Sequence, residues 1–182
     1  MTPELVLSDL ERRIEALGDP RDLRSDNERH AYYLAFDALD RRRIALRDAV
    51  PELAKLEPQI AEITTWLIHL KGWRGEWQHE LDALSALSAL THEQEQRGVD
   101  LTNAIRQVDS GVPYVNNNPM LSTLLRSKIC NTYTPSWDGP RDPWAVGHGA
   151  IGESESKLER LTRKRDAFQS RLDAAMRETV TA

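Results

Sequence analysis

A glutamate and a histidine at helical spacing offer the first candidate for chemistry in this chain. Glu76 and His79 form a Glu-x-x-His pair, the unit that di-iron carboxylate proteins use twice, together with two further inward carboxylates. The sequence contains no second Glu-x-x-His. Trp77 takes the apolar position between the two residues, so both are expected to flank the core face of a helix. A solvated helix face is therefore favoured, and a metal-dependent helical enzyme is kept as an alternative.

Cys130 and His148 are the second candidate, as a nucleophile and its base. Both lie in a stretch of irregular sequence, where functional groups tend to sit. The sequence has no glycine-rich phosphate loop, no Gly-x-Ser-x-Gly and no His-Glu-x-x-His to accompany them. A single cysteine after Ile129 is more typical of a small buried hydrophobe. We therefore predict a protein that is not an enzyme, with no cofactor, no metal and no internal disulfide.

Trp73-Arg74-Gly75 resembles the Trp-x-Gly signature of the WXG family. These are small helical hairpins exported by type VII secretion, so the resemblance implies a turn at 73–75. The register of apolar residues, however, runs unbroken from Leu70 through Arg74 to Trp77. A turn has no need to preserve register, so this pattern favours one continuous helix. The family's Tyr-x-x-x-Asp/Glu element follows its second helix, whereas the match here, Tyr33 to Asp37, precedes the tryptophan.

The elements that must position these residues are helices. In the middle of the sequence, ten positions follow one another at alternating intervals of three and four residues. Nine of these positions are apolar, which is typical of a coiled-coil helix. This central seam comprises Leu53, Leu56, Ile60, Ile63, Leu67, Leu70, Arg74, Trp77, Leu81 and Leu84. A C-terminal seam comprises Leu158, Leu161, Arg165, Phe168, Leu172 and Ala175.

Two arginines occupy apolar positions of such patterns. Arg165 lies in the C-terminal seam, and Arg43 lies between Leu39 and Leu46 at the same spacing in an earlier helix. A charged residue at such a position sets register or partner choice. We predict contacts between copies of the chain through these seams, at Arg43, Leu67, Leu70, Trp77, Leu158, Leu161, Arg165, Phe168 and Leu172.

Proline and glycine set the expected helix ends. A helix capped by Asp26 or Asn27 should end or kink at Val50-Pro51, because proline disfavours a helical conformation in the residue before it. The next helix is expected to begin at Pro51 or Pro58; its apolar seam dissolves after Leu84, and without a break it would reach Arg97. Gly98 and Asp100 are the candidates for a break and a restart of the helix.

Charged residues are unevenly distributed along the chain. Residues 111–152 carry 5 charged side chains in 42 positions and hold five of the nine prolines. Asn118-Pro119 is expected to begin a short helix near 119–129, and the rest of this charge-poor segment should be irregular. Its aromatic and arginine residues match the composition of interface hot spots. We predict that a partner contacts Tyr114, Arg126, Tyr133, Trp137, Arg141 and Trp144, although a purely structural cap is an equal alternative.

These patterns together predict an all-α protein. We expect an elongated antiparallel bundle or coiled coil with one long irregular, aromatic-rich insert: a helical scaffold over 1–110, the insert over 111–152 and a coiled-coil helix over 153–182. The expected function is that of a non-enzymatic interaction protein, an assembly factor, adaptor or inhibitor that also associates with itself. A WXG-like exported hairpin is the main alternative.

Composition limits the setting and the partners. The net charge of −5 disfavours nucleic acid as a partner, and acidic neighbours dilute the basic triplets at 41–43 and 163–165. No apolar run approaches the length that spans a bilayer, and Met1-Thr2-Pro3-Glu4 lacks the features of a secretory signal. We therefore expect a cytoplasmic protein without membrane contact. The ratio of 19 arginines to 5 lysines suggests a bacterial or phage origin.

Overall fold

The computed structural model describes residues 2–116, 118–132 and 150–177 of the chain. Within these ranges the protein is all-α, as predicted, with two very short strands. The helices are α1 (Pro3–Ala16), α2 (Asp26–Ser85), α3 (His92–Ser110), α4 (Thr123–Thr132) and α5 (Ile151–Arg177), with a 3₁₀ turn at Pro20–Asp22; the strands are β1 (Tyr114–Val115) and β2 (Asn118–Pro119). The chain forms two compact units, Met1–Gln59 with Leu161–Ala182, and Ile60–Arg160. The predicted boundaries at 110 and 152 both fall inside the second unit.

Helix α2 begins with a reciprocal cap one residue earlier than predicted. The Ser25 hydroxyl accepts a hydrogen bond from the Glu28 backbone N–H at 3.2 Å, and the Ser25 N–H donates to Glu28 Oε2 at 2.8 Å. This capping box satisfies two backbone donors that the helix itself leaves without partners. The hydrogen bonds from the backbone and side chain of Ser25 hold the pKa of Glu28 below its ordinary value.

Of the predicted end or kink at Val50-Pro51, the end is wrong, because α2 continues through both Pro51 and Pro58. Each proline removes one backbone hydrogen bond from the helix. Both lie on the exposed side, one heptad apart, so the released carbonyls belong to the equally exposed Arg47 and Ala54. Water can bond these carbonyls, which explains why the helix tolerates the two prolines.

A helix without interruption through Arg97 is not found, and neither is a break at Gly98. Helix α2 ends at Ser85, and α3 starts at His92 and runs through Gly98. The new start is fixed by Thr91, whose hydroxyl accepts from the Gln94 N–H at 3.3 Å while the Thr91 N–H donates to Gln94 Oε1 at 2.8 Å. A Thr-x-x-Gln capping box therefore overrides the weaker helix-breaking tendency of one glycine.

In the second unit, α3 lies antiparallel to the second half of α2. The Arg97 guanidinium donates to both carboxylate oxygens of Glu80, at 2.7 and 2.8 Å, and Arg74 Nε donates to Asp109 Oδ1 at 2.7 Å. The hydrogen bonds from Arg97 lower the pKa of Glu80. Between these pairs lies an apolar core formed by Trp66, Leu70, Trp73, Trp77, Leu101, Ala104, Val108, Val112, Leu125 and Ile129.

Gly98 provides a direct test of this helix pair. A Cβ atom built there would lie 4.0 Å from Leu81 Cδ1, an ordinary van der Waals contact. Gly98→Ala should therefore raise the free energy of unfolding by about 1 kcal/mol, since alanine is the better helix former and the site has room for it. Urea unfolding followed by circular dichroism measures the change. Gly72→Ala, where nothing lies within 4 Å, is the matched control for helix propensity alone. A lower stability of Gly98→Ala than of wild type would contradict this packing.

The first unit is formed by α1, the first part of α2 and the end of α5. Its apolar core consists of Val6, Leu10, Leu39, Leu46 and Ala175. Two polar contacts orient α5 antiparallel to α2 here. Lys164 Nζ lies 2.9 Å from Glu52 Oε2, and the Arg42 guanidinium donates twice to the Ala175 carbonyl, at 3.1 and 2.8 Å.

Candidate interaction surface

The charge-poor segment begins with a small β-hairpin. Strands β1 and β2 are antiparallel, with Tyr114 opposite Pro119 and Val115 opposite Asn118. The Met120 N–H continues the pairing by donating to the Pro113 carbonyl at 2.8 Å. Asn116 adopts a φ of +51° at the turn, in the left-handed region that asparagine tolerates better than most residues. The predicted helix start at Asn118-Pro119 is therefore wrong, because both residues belong to β2.

The short helix that follows exists, but it lies further along the chain than 119–129. Helix α4 covers Thr123–Thr132. Ser122 caps it, since the Leu125 N–H lies 3.3 Å from the Ser122 hydroxyl oxygen. Leu125 and Ile129 are buried in the core of the second unit, and Lys128 pairs with Glu76 of α2. These contacts fix α4 on the helix pair.

One side chain of α3 connects the hairpin to α4. The amide of Gln107 donates from Nε2 to the Met120 carbonyl and accepts at Oε1 from the Ser122 N–H, each at 2.8 Å. Gln107 is buried, so these two bonds replace hydration that the side chain has lost. Sequence reasoning missed this residue. The available signal was a polar side chain next to Val108, within the apolar stripe of α3.

The hairpin exposes large apolar side chains to solvent. The exposed fractions are 48% for Tyr114, 54% for Val115 and 53% for Met120. Side chains alternate along a strand, so the pairing register puts Val115 and Met120 on one face of the hairpin and Tyr114 on the other. Together with Arg126, which is exposed on α4, these residues form what we call the hairpin surface.

The predicted partner-binding residues divide into two groups. Tyr114 and Arg126 are both exposed and belong to the hairpin surface. Tyr133, Trp137, Arg141 and Trp144 lie outside the described residues, and so does His148. Val115 and Met120 were not predicted, because their positions depend on a strand pairing with no clear sequence signal.

The predicted seam residues lie at different depths. Leu67, Leu70, Trp77 and Leu161 are buried, whereas Leu158, Phe168 and Leu172 are half-buried. The two seam arginines are half-buried as well and bind their neighbours on the same helix: Arg43 Nη2 lies 2.5 Å from Asp40 Oδ1, and Arg165 Nη2 lies 2.7 Å from Asp166 Oδ1.

The residues considered for metal binding or catalysis are either ion-paired within the fold or exposed to solvent. Glu76 is ion-paired with Lys128, and His79 is exposed one helical turn later. Across residues 2–116, 118–132 and 150–177, no three histidine, cysteine, aspartate or glutamate side chains lie together as a metal site requires. Cys130 is exposed, so its predicted burial is wrong. Helix α4 turns Leu125 and Ile129 inward, which leaves the residue after Ile129 facing solvent.

No family model matches this chain, and neither a curated protein nor a solved structure matches it. The resemblance to the WXG family thus rests on Trp73-Arg74-Gly75. The turn that it implies is absent, since α2 passes through these three residues as a helix. None of the helices in the described part of the chain combines the length and the hydropathy needed to cross a membrane.

Proposed function

We propose that this chain is a non-enzymatic interaction protein, an assembly factor, adaptor or inhibitor, that binds a protein partner through the hairpin surface and adjoining helix faces. The observation that carries the proposal is that Tyr114, Val115 and Met120 are exposed on one hairpin, which hydrogen bonds of Gln107 hold in place. Apolar side chains scattered singly over a surface are ordinary, but neighbouring ones on one element are a feature of interaction sites.

The anchoring of the hairpin supports the same proposal. Gln107 bonds the backbone on both sides of Leu121, and α4 is held by Leu125 and Ile129 in the core. A surface that is already ordered loses less conformational entropy when a partner binds. This arrangement suits recognition.

The wider proposal includes features inferred from sequence patterns. Tyr133, Trp137, Arg141 and Trp144 extend the binding surface. Leu67, Leu70, Trp77 and Leu161 are buried within the chain, so association between copies would use the half-buried Leu158, Phe168 and Leu172. An elongated antiparallel arrangement of the helices would display both kinds of surface. On this proposal the protein acts in the cytoplasm of a bacterium, or during assembly of a phage.

Partner capture from the native host, read by mass spectrometry, tests the proposal. The double variant Val115→Ser, Met120→Ser should lose the captured protein, because it removes the apolar face of the hairpin without altering the core. Trp137→Ala with Trp144→Ala should lose it as well. Helical circular dichroism should be unchanged in both variants.

Val99→Ser is a matched control for that experiment. Val99 lies on α3 and has the same exposed fraction as Val115, 54%, so the substitution makes the same chemical change at the same exposure. We expect it to retain the captured protein. Equal capture by wild type and both double variants would contradict the proposed function.

A further inference from the structure

Resting on the proposed function, we infer that the partner segment seated on the hairpin surface is acidic as well as apolar, with a carboxylate that pairs with Arg126. The inference concerns the chemistry of the occupant. It follows from the balance of charge around the hairpin and α4.

The sequence around this surface contains no acidic residue. From 110 to 137 there is no aspartate or glutamate, and the only charged side chains are Arg126 and Lys128. The nearest acid along the chain on the N-terminal side is Asp109, which is bound by Arg74 Nε at 2.7 Å. This stretch of sequence is therefore basic, although the whole chain is acidic.

The structure shows which of the two basic groups is available. Lys128 is neutralised by Glu76. Arg126 is exposed, and no hydrogen bond or ion pair of its guanidinium is found within the described residues, whereas Arg74 and Arg97 of the same unit are both paired. Among the described residues, Arg126 thus presents a positive charge for which no carboxylate partner is found.

The backbone of Arg126 is linked to the anchor of the hairpin. The Arg126 N–H donates to the Ser122 carbonyl at 2.9 Å, and the Ser122 N–H is bonded to Gln107. Gln107 also holds the Met120 carbonyl. The backbone of Arg126 therefore lies one helical turn after Ser122, which Gln107 binds.

A carboxylate is the group that such an arginine binds best. Its planar guanidinium can bind both carboxylate oxygens at once, while Val115 and Met120 contact apolar side chains of the same segment. Charge complementarity of this kind selects partners and raises the association rate. A basic segment would face an unpaired like charge at Arg126 and would be rejected.

Two fluorescein-labelled peptides of equal length test the inference. Both carry leucines at helical spacing; one has glutamates at the remaining positions and the other has lysines. Fluorescence anisotropy with the full chain should show the glutamate peptide binding at least about tenfold more tightly, since a good interface arginine contributes a factor of that order. Arg126→Glu should remove this preference.

Arg160→Glu is the matched control. Arg160 is exposed on α5 in the same unit, so the variant makes the same change in net charge away from the hairpin. It should retain the preference for the glutamate peptide. The inference would be overturned if Arg126→Glu and Arg160→Glu lost the preference for the glutamate peptide equally. It would also be overturned if the glutamate peptide did not bind to the wild-type chain.

Nucleic-acid phosphates could supply the negative charge in place of a protein carboxylate, and a labelled single-stranded DNA oligonucleotide tests for this. If it binds more tightly than the glutamate peptide and loses affinity in Arg126→Glu, the occupant is a nucleic acid and the inference is wrong. If the inference fails while Val115→Ser, Met120→Ser still loses the captured host protein, the proposed function stands with a partner of different chemistry.

Discussion

Replacing Gln107 with alanine is expected to lower the free energy of unfolding by about 3 kcal/mol. The substitution removes two hydrogen bonds of 2.8 Å and leaves the Met120 carbonyl and the Ser122 N–H without their partner. A buried polar group that loses its partner costs about 1–3 kcal/mol. Urea unfolding followed by circular dichroism measures the loss. Amide exchange at Ser122 should accelerate in parallel, because its N–H is then unprotected.

Gln107→Glu separates the two bonds. A carboxylate can still accept from the Ser122 N–H, but it cannot donate to the Met120 carbonyl while it is ionised. We expect this variant to be destabilised at neutral pH and to recover part of the loss at acidic pH, where the protonated carboxyl group is a donor again. If Gln107→Ala unfolds at the same urea concentration as wild type, the hairpin is held by other contacts.

Trp66→Ala should have the largest effect of any single substitution considered for the second unit, about 4 kcal/mol. Trp66 is completely buried, and its ring meets that of Trp73 edge to face, with centroids 5.8 Å apart and planes at 85°. Truncation removes this contact and leaves a cavity that the surrounding helices cannot fill completely. Urea unfolding should show the loss directly.

Ile68→Ala is the control for Trp66. It lies two residues further along α2, but its exposed fraction is 65%. Since it contributes little to the core, its truncation should change the unfolding free energy by less than about 0.5 kcal/mol. Comparable losses in the two variants would show that the core does not lie on the Trp66 side of α2.

The helices could be predicted from the sequence, because apolar residues spaced three and four positions apart indicate the buried face of a helix. Leu67, Leu70 and Trp77 were identified from that spacing, and all three are buried. The helix ends were harder. A capping box at Thr91 and Gln94 competes with Gly98 as an end signal, and the hydrogen bonds of the box decide the outcome.

The sequence pointed to a candidate segment but not to how that segment is built. Low charge singled out 111–152, and of the residues predicted there to contact a partner, Tyr114 and Arg126 are exposed. The pairing that exposes Val115 and Met120 involves strands of two residues each, too short to show alternation in sequence. Gln107 forms hydrogen bonds with backbone atoms 13 and 15 residues away. A side chain that binds backbone produces no residue pattern in α3 or in the hairpin from which the contact could be predicted.

The way in which Gln107 holds the hairpin also affects how the surface can change. Both of its bonds end on backbone atoms, so they do not depend on which side chains occupy residues 114, 115 and 120. On the proposed function, substitutions at these three positions would change the specificity of the hairpin while the anchor is kept. Libraries randomised at these three positions, with Gln107 kept, should therefore give a high fraction of folded variants, and the hairpin becomes a natural place to engineer recognition.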